Sequence, residues 1–167
     1  MRPNDLSERL RDRFPEILVA RGEVTVTVPP EDLIPSLVHL GDEPDLGFRF
    51  LSDLTCTDWP NLDPRFWLAY HLMSSEHGHR LRVKVGLAPE PDPPHVPSVT
   101  GLFPTANWHE REVFDFFGVV FDGHPDLRRI EMPDEWVGHP LRKDQPLAGV
   151  NTAYKGAFIP PPDHRGL

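Results

Sequence analysis

Cysteine is almost absent from this sequence, whose 167 residues contain only Cys56. A single thiol excludes an intramolecular disulfide. It also falls short of the four thiolates that an iron–sulfur cluster usually takes and of the two or more in most structural zinc sites. We therefore expect a protein of a reducing compartment whose own residues hold no iron–sulfur cluster.

Long hydrophobic runs are also missing. The longest apolar stretches, such as residues 66–70, fall far below the roughly 20 residues of a membrane-spanning helix. The first residues, MRPNDL, include polar and acidic side chains where a signal peptide requires an apolar run. The sequence thus predicts a chain that is soluble by itself and meets a membrane only through a larger complex.

Positive charge is scarce as well, since 17 lysines and arginines stand against 26 acidic residues, for a net charge of −9. Phosphate backbones are bound by basic surfaces, so we expect no nucleic-acid partner. The sequence also contains no Gly-rich phosphate loop, dinucleotide fingerprint or catalytic Ser/His/Asp or Cys/His signature. These features argue against a cofactor-bearing active site in this chain.

Proline, in contrast, is abundant, with 21 residues against an average usage of about 5%. A chain of this length predicts one compact domain plus any part that does not fold into it. We predict an α+β domain over residues 1–118 and an extended, proline-rich tail over residues 119–167 that is ordered by packing on a partner.

Hydrophobic periodicity predicts the elements of that domain. Helical spacing indicates a first helix from Leu6 to near Pro15 and a second helix that opens at residues 29–32. The proline run at residues 89–94 ends the sheet region. Strands are predicted at residues 23–28, 48–57, 65–73 and 80–87. This order favours an α+β domain with a mainly antiparallel sheet and helices on one face.

A further helix is predicted over residues 108–117. Asn107 is suited to the N-cap, with Glu110 as its partner in a capping box, and Gly118 is suited to end the helix in a left-handed turn. On a helical wheel Glu112 lies beside the apolar face and so faces inward or toward a partner, where a carboxylate requires a nearby cation. Glu110, Arg111 and Asp115 are predicted to form a solvated face. An ordinary amphipathic helix, a pair of structural carboxylates, and a catalytic or metal site remain open alternatives.

Basic residues cluster after this helix, although the chain as a whole is acidic. Arg128-Arg129 and Arg142-Lys143 each follow a Gly-His-Pro turn, the first containing His124 and the second His139. Such a cluster indicates a docking surface for carboxylates or phosphates, or else a pair of solvated loops. If carboxylates of the helix are its internal partners, helix and tail are held together. A metal site built from the histidines of this region is disfavoured because their spacing lacks an HExxH pattern.

Three segments of this half of the chain carry a family resemblance. NWHEREVFDFFG, FDGHPDLRRI and GHPLRKD resemble the signature of the C subunit of NADH:quinone oxidoreductase, the respiratory complex I family. Glu131 and Gln145, which lie outside these three segments, depart from the family pattern. The resemblance covers about residues 20–150.

That resemblance implies a cofactor-free structural subunit in the peripheral arm of a proton-translocating complex, on the cytoplasmic side of the cell membrane. It implies docking on the quinone-site (D) subunit, with the B and I subunits as further partners, while NADH, FMN, iron–sulfur clusters and quinone are bound by other subunits. The alternative is the homologous subunit of a membrane-bound hydrogenase, formate hydrogenlyase or F420H2 dehydrogenase. The residues expected at the interface, with a positional role, are Glu110, Arg111, Glu112, Asp115, His124, Arg128, Arg129, His139, Arg142, Lys143 and Asp144.

Overall fold

Seven strands and three α-helices are present in the computed structural model, which describes residues 2–145. The predicted strand at residues 23–28 occurs with those bounds, because its alternating valines suit a half-buried strand. The other predicted strands shift by at most two residues. In chain order the elements are α1 (Pro3–Leu10), β1 (Ile17–Ala20), β2 (Glu23–Val28), α2 (Leu33–Asp42), β3 (Phe50–Asp58), β4 (Phe66–Ser74), β5 (His79–Leu87), β6 (His95–Pro97), α3 (Ala106–Phe117) and β7 (Val120–Asp122).

The main sheet has the strand order β1-β2-β5-β4-β3. Within this sheet only the β2–β5 pair is parallel, and the other three pairs are antiparallel. β6 and β7 form a separate parallel pair. The predicted α+β class with a mainly antiparallel sheet is therefore confirmed. The parallel pair arises because α2 carries the chain across the sheet, and the β4–β5 hairpin then places β5 next to β2.

One face of this sheet forms the hydrophobic core. Alternate residues of β4, including Phe66, Leu68 and Tyr70, are almost fully buried, whereas the residues between them are partly exposed. Leucines of α1 and α2 join the same core cluster, and α3 packs against β3. Within residues 2–145, no helix is long and apolar enough to cross a membrane.

The first helix is shorter than predicted. It ends at Leu10, short of Pro15, and strand β1 begins at Ile17. Arg21 and Gly22 both have positive φ angles, 53° and 78°, and they connect β1 to β2 in a two-residue hairpin. Two positive φ angles match the twist of antiparallel strands. Pairing with β2 thus places residues 17–20 in the sheet.

The start of α3 also differs from the prediction. Thr105, not Asn107, is the N-cap, and its side chain makes no capping hydrogen bond. Glu110 does not close a capping box, because its carboxylate is turned into the core toward residues 98 and 99. The predicted end is confirmed, since Gly118 adopts the left-handed conformation at φ 74°.

Candidate functional site

Asp115 is the centre of the contacts between α3 and the tail segment, defined here as residues 123–145. Its side chain is fully buried. The backbone N–H groups of Ile130, Glu131 and Met132 donate to Oδ2 at 3.1, 2.9 and 2.8 Å. The guanidinium of Arg129 donates to Oδ1. One carboxylate thereby fixes the backbone of residues 129–132 against the helix.

The electrostatics of Asp115 favour its ionised form. Burial by itself raises the pKa of this carboxyl, but the three amides and Arg129 outweigh burial and hold the pKa below its ordinary value. A buried carboxylate with these partners is stable, whereas removal of either charge leaves the other one unpaired.

Arg129 extends these contacts along the tail segment. Its Nη2 donates to the carbonyl oxygens of Trp136 and Gly138, at 3.1 and 2.8 Å. The side chain is only 15% exposed. Because one planar guanidinium binds Asp115 and two carbonyls at once, it closes residues 129–138 into a loop on the surface of α3.

The end of α3 receives the second Gly-His-Pro turn. His139 Nδ1 lies 2.9 Å from the carbonyl oxygen of Asp115, and the Arg142 guanidinium donates to the carbonyl oxygen of Phe117. Both side chains lie over Gly118, where a Cβ atom would come within 2.5 Å of His139 Nε2. Arg142 also donates to both carboxylate oxygens of Asp92, at 2.9 and 3.1 Å. Glycine at position 118 thus serves both the helix cap and the close approach of the tail.

A second buried carboxylate, Asp58, holds the end of the tail segment at β3. Arg65 donates to both of its oxygens, at 2.7 and 2.8 Å, and the backbone N–H of Lys143 donates at 2.8 Å. Arg65 also binds Asp144 at 2.9 Å. The roles of Asp58, Arg65 and Asp92 are absent from the sequence-based prediction, since no local pattern connects them to partners 50 to 85 residues away.

The remaining predicted residues have smaller or different roles. Arg111 donates to the carbonyl oxygens of Arg128 and Arg129, both at 3.1 Å. His124 Nε2 lies 3.1 Å from the Asn107 carbonyl oxygen. The Arg128 side chain is 69% exposed and contacts Asp126 within its own turn. Lys143 takes part through its backbone N–H, and its side chain is exposed.

Two expectations about the carboxylates of α3 are wrong. Glu112, expected to face inward or toward a partner, is exposed and forms no ion pair within residues 2–145, so the inward alternative is the wrong one. Glu110 and Asp115, expected on a solvated face, are fully buried. The reason is that α3 is covered on two sides, by the sheet and by the tail segment, so that the uncovered arc is the one that carries Glu112.

Glu110 is held differently from Asp115, because no cation lies beside it. Ser98 Oγ and the Val99 N–H both donate to its carboxylate at 2.7 Å. Burial raises the pKa of Glu110 to about 7, and the two hydrogen bonds offset only part of that effect. The carboxyl therefore links α3 to residues 98–99 and titrates near neutral pH.

The histidines and acids of this region do not converge on one point. In the described part of the chain, no group of three or more His, Cys, Asp or Glu side chains is placed to hold a metal ion. His109 lies 3.8 Å from Asp53, while His124 and His139 contact backbone carbonyls. The geometry is that of a charged junction that fixes the tail segment.

Comparison with known proteins gives a consistent result. The family described as "Respiratory-chain NADH dehydrogenase, 30 Kd subunit" matches residues 26–151. The C subunit of NADH-quinone oxidoreductase from a Nocardioides species is 46% identical over 152 residues, which are 90% of this chain and 60% of that protein. The Mycobacterium ulcerans protein of the same name is 48% identical over 92% of this chain and 64% of its own length. The chain thus spans less than two thirds of these relatives.

Two solved structures share the fold. A trypsin-resistant fragment of Nqo5 has a TM-score of 0.63 and 37% identity, and the match covers 76% of this chain and all of the fragment. A chain of an archaeal respiratory membrane complex, the membrane-bound sulfane sulfur reductase, has a TM-score of 0.66 and 27% identity. That match covers 86% of this chain and 85% of the other.

Proposed function

The chain belongs to the family of the 30 kDa subunit of respiratory-chain NADH dehydrogenase, and on that premise we propose that it is a structural subunit of a proton-translocating NADH:quinone oxidoreductase. Its role is positional: it carries no redox cofactor, and NADH, FMN, iron–sulfur clusters and quinone are bound by other subunits. The observation that carries the proposal is the identity of 46–48% with the C subunits of this enzyme over about nine tenths of the chain.

The junction at α3 supplies the physical means of this role. Asp115, Arg129, His139 and Arg142 hold the tail segment in one conformation on the helix. Because the backbone of this segment is already ordered, its exposed side chains meet a partner with a smaller loss of conformational entropy than those of a flexible segment. These side chains include Arg128, Val137, which is 90% exposed, and Lys143.

We propose that the tail segment forms the interface with the quinone-site (D) subunit, with the B and I subunits as further neighbours. Association with the membrane follows from the complex, on its cytoplasmic side. Cations such as Arg128 are expected to meet carboxylates of the quinone-site subunit, because guanidinium groups pair with carboxylates in bidentate geometry. Residues 146–167, which belong to the predicted tail, lie outside the described residues.

A second candidate is the equivalent subunit of a sister complex, such as a membrane-bound hydrogenase, a formate hydrogenlyase or an F420H2 dehydrogenase. The observation in its favour is the fold shared with a chain of the archaeal sulfane sulfur reductase, which is itself a respiratory membrane complex. The lower identity, 27% against 46–48%, places this candidate second.

Affinity purification distinguishes these functions. The full chain, tagged and expressed in its own host, is purified from membranes in mild detergent, and every co-purifying protein is identified by mass spectrometry. We expect the quinone-site, ferredoxin-like and flavoprotein subunits, with NADH:quinone activity in the eluate. Hydrogenase or sulfur reductase proteins in their place assign the chain to a sister complex. Recovery of the chain alone refutes both functions.

A matched pair of variants tests the role of the junction in the same preparation. Asp115→Ala removes the acceptor of four donors, so we expect the recovery of the quinone-site subunit to fall at least tenfold. Glu8→Gln changes an exposed carboxylate of α1, at the opposite end of the sheet, and is the control. Equal recovery of the quinone-site subunit with both variants would contradict a docking role for the tail segment.

A further inference from the structure

β3 is an edge strand whose outer side has unpaired backbone groups. The Trp59 N–H donates to the Arg65 carbonyl oxygen at 2.9 Å, and the β3–β4 register is continuous from residue 53 to that pair. In an antiparallel ladder every second residue exchanges both backbone hydrogen bonds with its opposite residue. Asp53, Thr55 and Thr57 therefore bond to β4. The backbone N–H and C=O groups of Leu54, Cys56 and Asp58 point away from the sheet.

These outward groups have no hydrogen-bond partner within residues 2–145. Upstream of them, Thr105 Oγ1 donates to the Leu51 carbonyl oxygen at 3.4 Å. Exposed strand edges are usually protected by lysine, proline or a bulge. The β3 bulge lies between residues 51 and 53, and residues 54–58, LTCTD, contain neither lysine nor proline. The edge is therefore able to pair with a further strand.

An apolar cleft runs along this edge. Two adjoining cavities of about 440 and 100 Å³ share Cys56, Phe117 and Leu141 in their lining, so β3 forms one wall and α3 with Leu141 forms the other. Trp59, which is 53% exposed, and Leu141, which is 46% exposed, add apolar surface to the lining. Side chains of an added strand would enter this cleft at every second position.

The cleft is lined by side chains of both charges. Glu112 lines the smaller cavity, is exposed and forms no ion pair within the described residues. The larger cavity is lined by the exposed Lys143 and by Asp58, which is paired with Arg65. Glu112 is thus the unpaired acid of the cleft, and a lysine or arginine of an occupant is the group that pairs with it.

We propose that the free edge of β3 and the adjoining cleft bind an extended segment of another subunit, which adds to the sheet as a sixth strand through Leu54 and Cys56. The segment has apolar residues at alternate positions and a lysine or arginine that pairs with Glu112. Main-chain hydrogen bonds supply affinity and the cleft supplies specificity, as in other cases of strand addition. The inference rests on the proposed function in one respect, namely that the chain works inside a multi-subunit complex.

Hydrogen exchange at single-residue resolution tests the pairing. The full chain by itself is compared with the complex purified from membranes. We expect the amides of Leu54 and Cys56 to exchange at least tenfold more slowly in the complex. The amides of Thr55 and Thr57 are the internal control: they are bonded to β4, so in the free chain they should already exchange more slowly than those of Leu54 and Cys56. Equal rates for Leu54 and Cys56 in the two preparations would overturn the proposal.

Photo-crosslinking identifies the occupant. p-Benzoylphenylalanine is placed at Glu112 in the tagged chain, and a matched control carries it at Glu8 on α1. A crosslink from position 112, absent from the control, to an extended segment of another subunit supports the proposal. A crosslink to residues 146–167 of this chain or to a second copy overturns it, as does the lack of any crosslink in the assembled complex. Purification without other subunits refutes the proposed function instead, so the two failures are distinguishable.

Discussion

Replacement of Asp115 by asparagine measures how strongly the tail segment is held on α3. Asparagine keeps the shape but removes the charge, which leaves the Arg129 guanidinium buried opposite a neutral amide. Loss of one member of a buried ion pair costs about 3–5 kcal/mol. Arg129 keeps the carbonyl oxygens of Trp136 and Gly138 as acceptors, so we expect the lower end, about 3 kcal/mol.

The assay is the rate at which trypsin cleaves the native chain after Arg128, Arg129 and Lys143, because cleavage there requires local release of the tail segment. If opening is fast relative to cleavage, the rate follows the free energy of release, and ~3 kcal/mol corresponds to about a hundredfold. Glu112→Gln is the matched control, since this carboxylate is exposed and unpaired in the described chain. Cleavage of both variants at the wild-type rate would show that the buried pair does not hold the tail.

Three further predictions follow from the same contacts. Gly118→Ala is expected to lower the free energy of unfolding by more than about 1 kcal/mol, because φ is 74° and the new Cβ would meet His139. Urea denaturation measures this loss, and an unchanged midpoint would contradict the prediction. Glu110 has a pKa raised to about 7 from 4.5, so its native state holds the proton more tightly, and stability should fall as the pH rises from about 4.5 to 7 and then level off. That dependence should be absent in Glu110→Gln, and its persistence in urea titrations at several pH values would assign it to another group. Asp92→Ala should lower the free energy that holds the tail segment by about 1 kcal/mol or less, because the Asp92 partner of Arg142 is exposed. A loss as large as that of Asp115→Asn would show that the pair is effectively buried.

The strongest local patterns of the sequence were sufficient to predict most elements of the fold. Alternating valine and threonine predicted β2, and the strand-like runs at residues 65–73 and 80–87 predicted the strands of the β4–β5 pair. Gly118 determined the end of α3, since a left-handed residue favours glycine there. The short strands β1, β6 and β7 were not predicted, because three or four residues carry too little periodicity to outweigh their neighbours.

For the site, the sequence by itself showed the segments that resemble the family and the basic residues that follow α3. A helical wheel gives the angles between Glu110, Glu112 and Asp115, but it does not tell which arc of the helix is covered. Only the tertiary structure decided that, because the tail segment returns over α3 and buries Asp115 while Glu112 stays at the rim of a cleft. Partners such as Asp58 and Lys143 lie 85 residues apart in the chain, and contacts at such separations leave no periodic signal in the sequence.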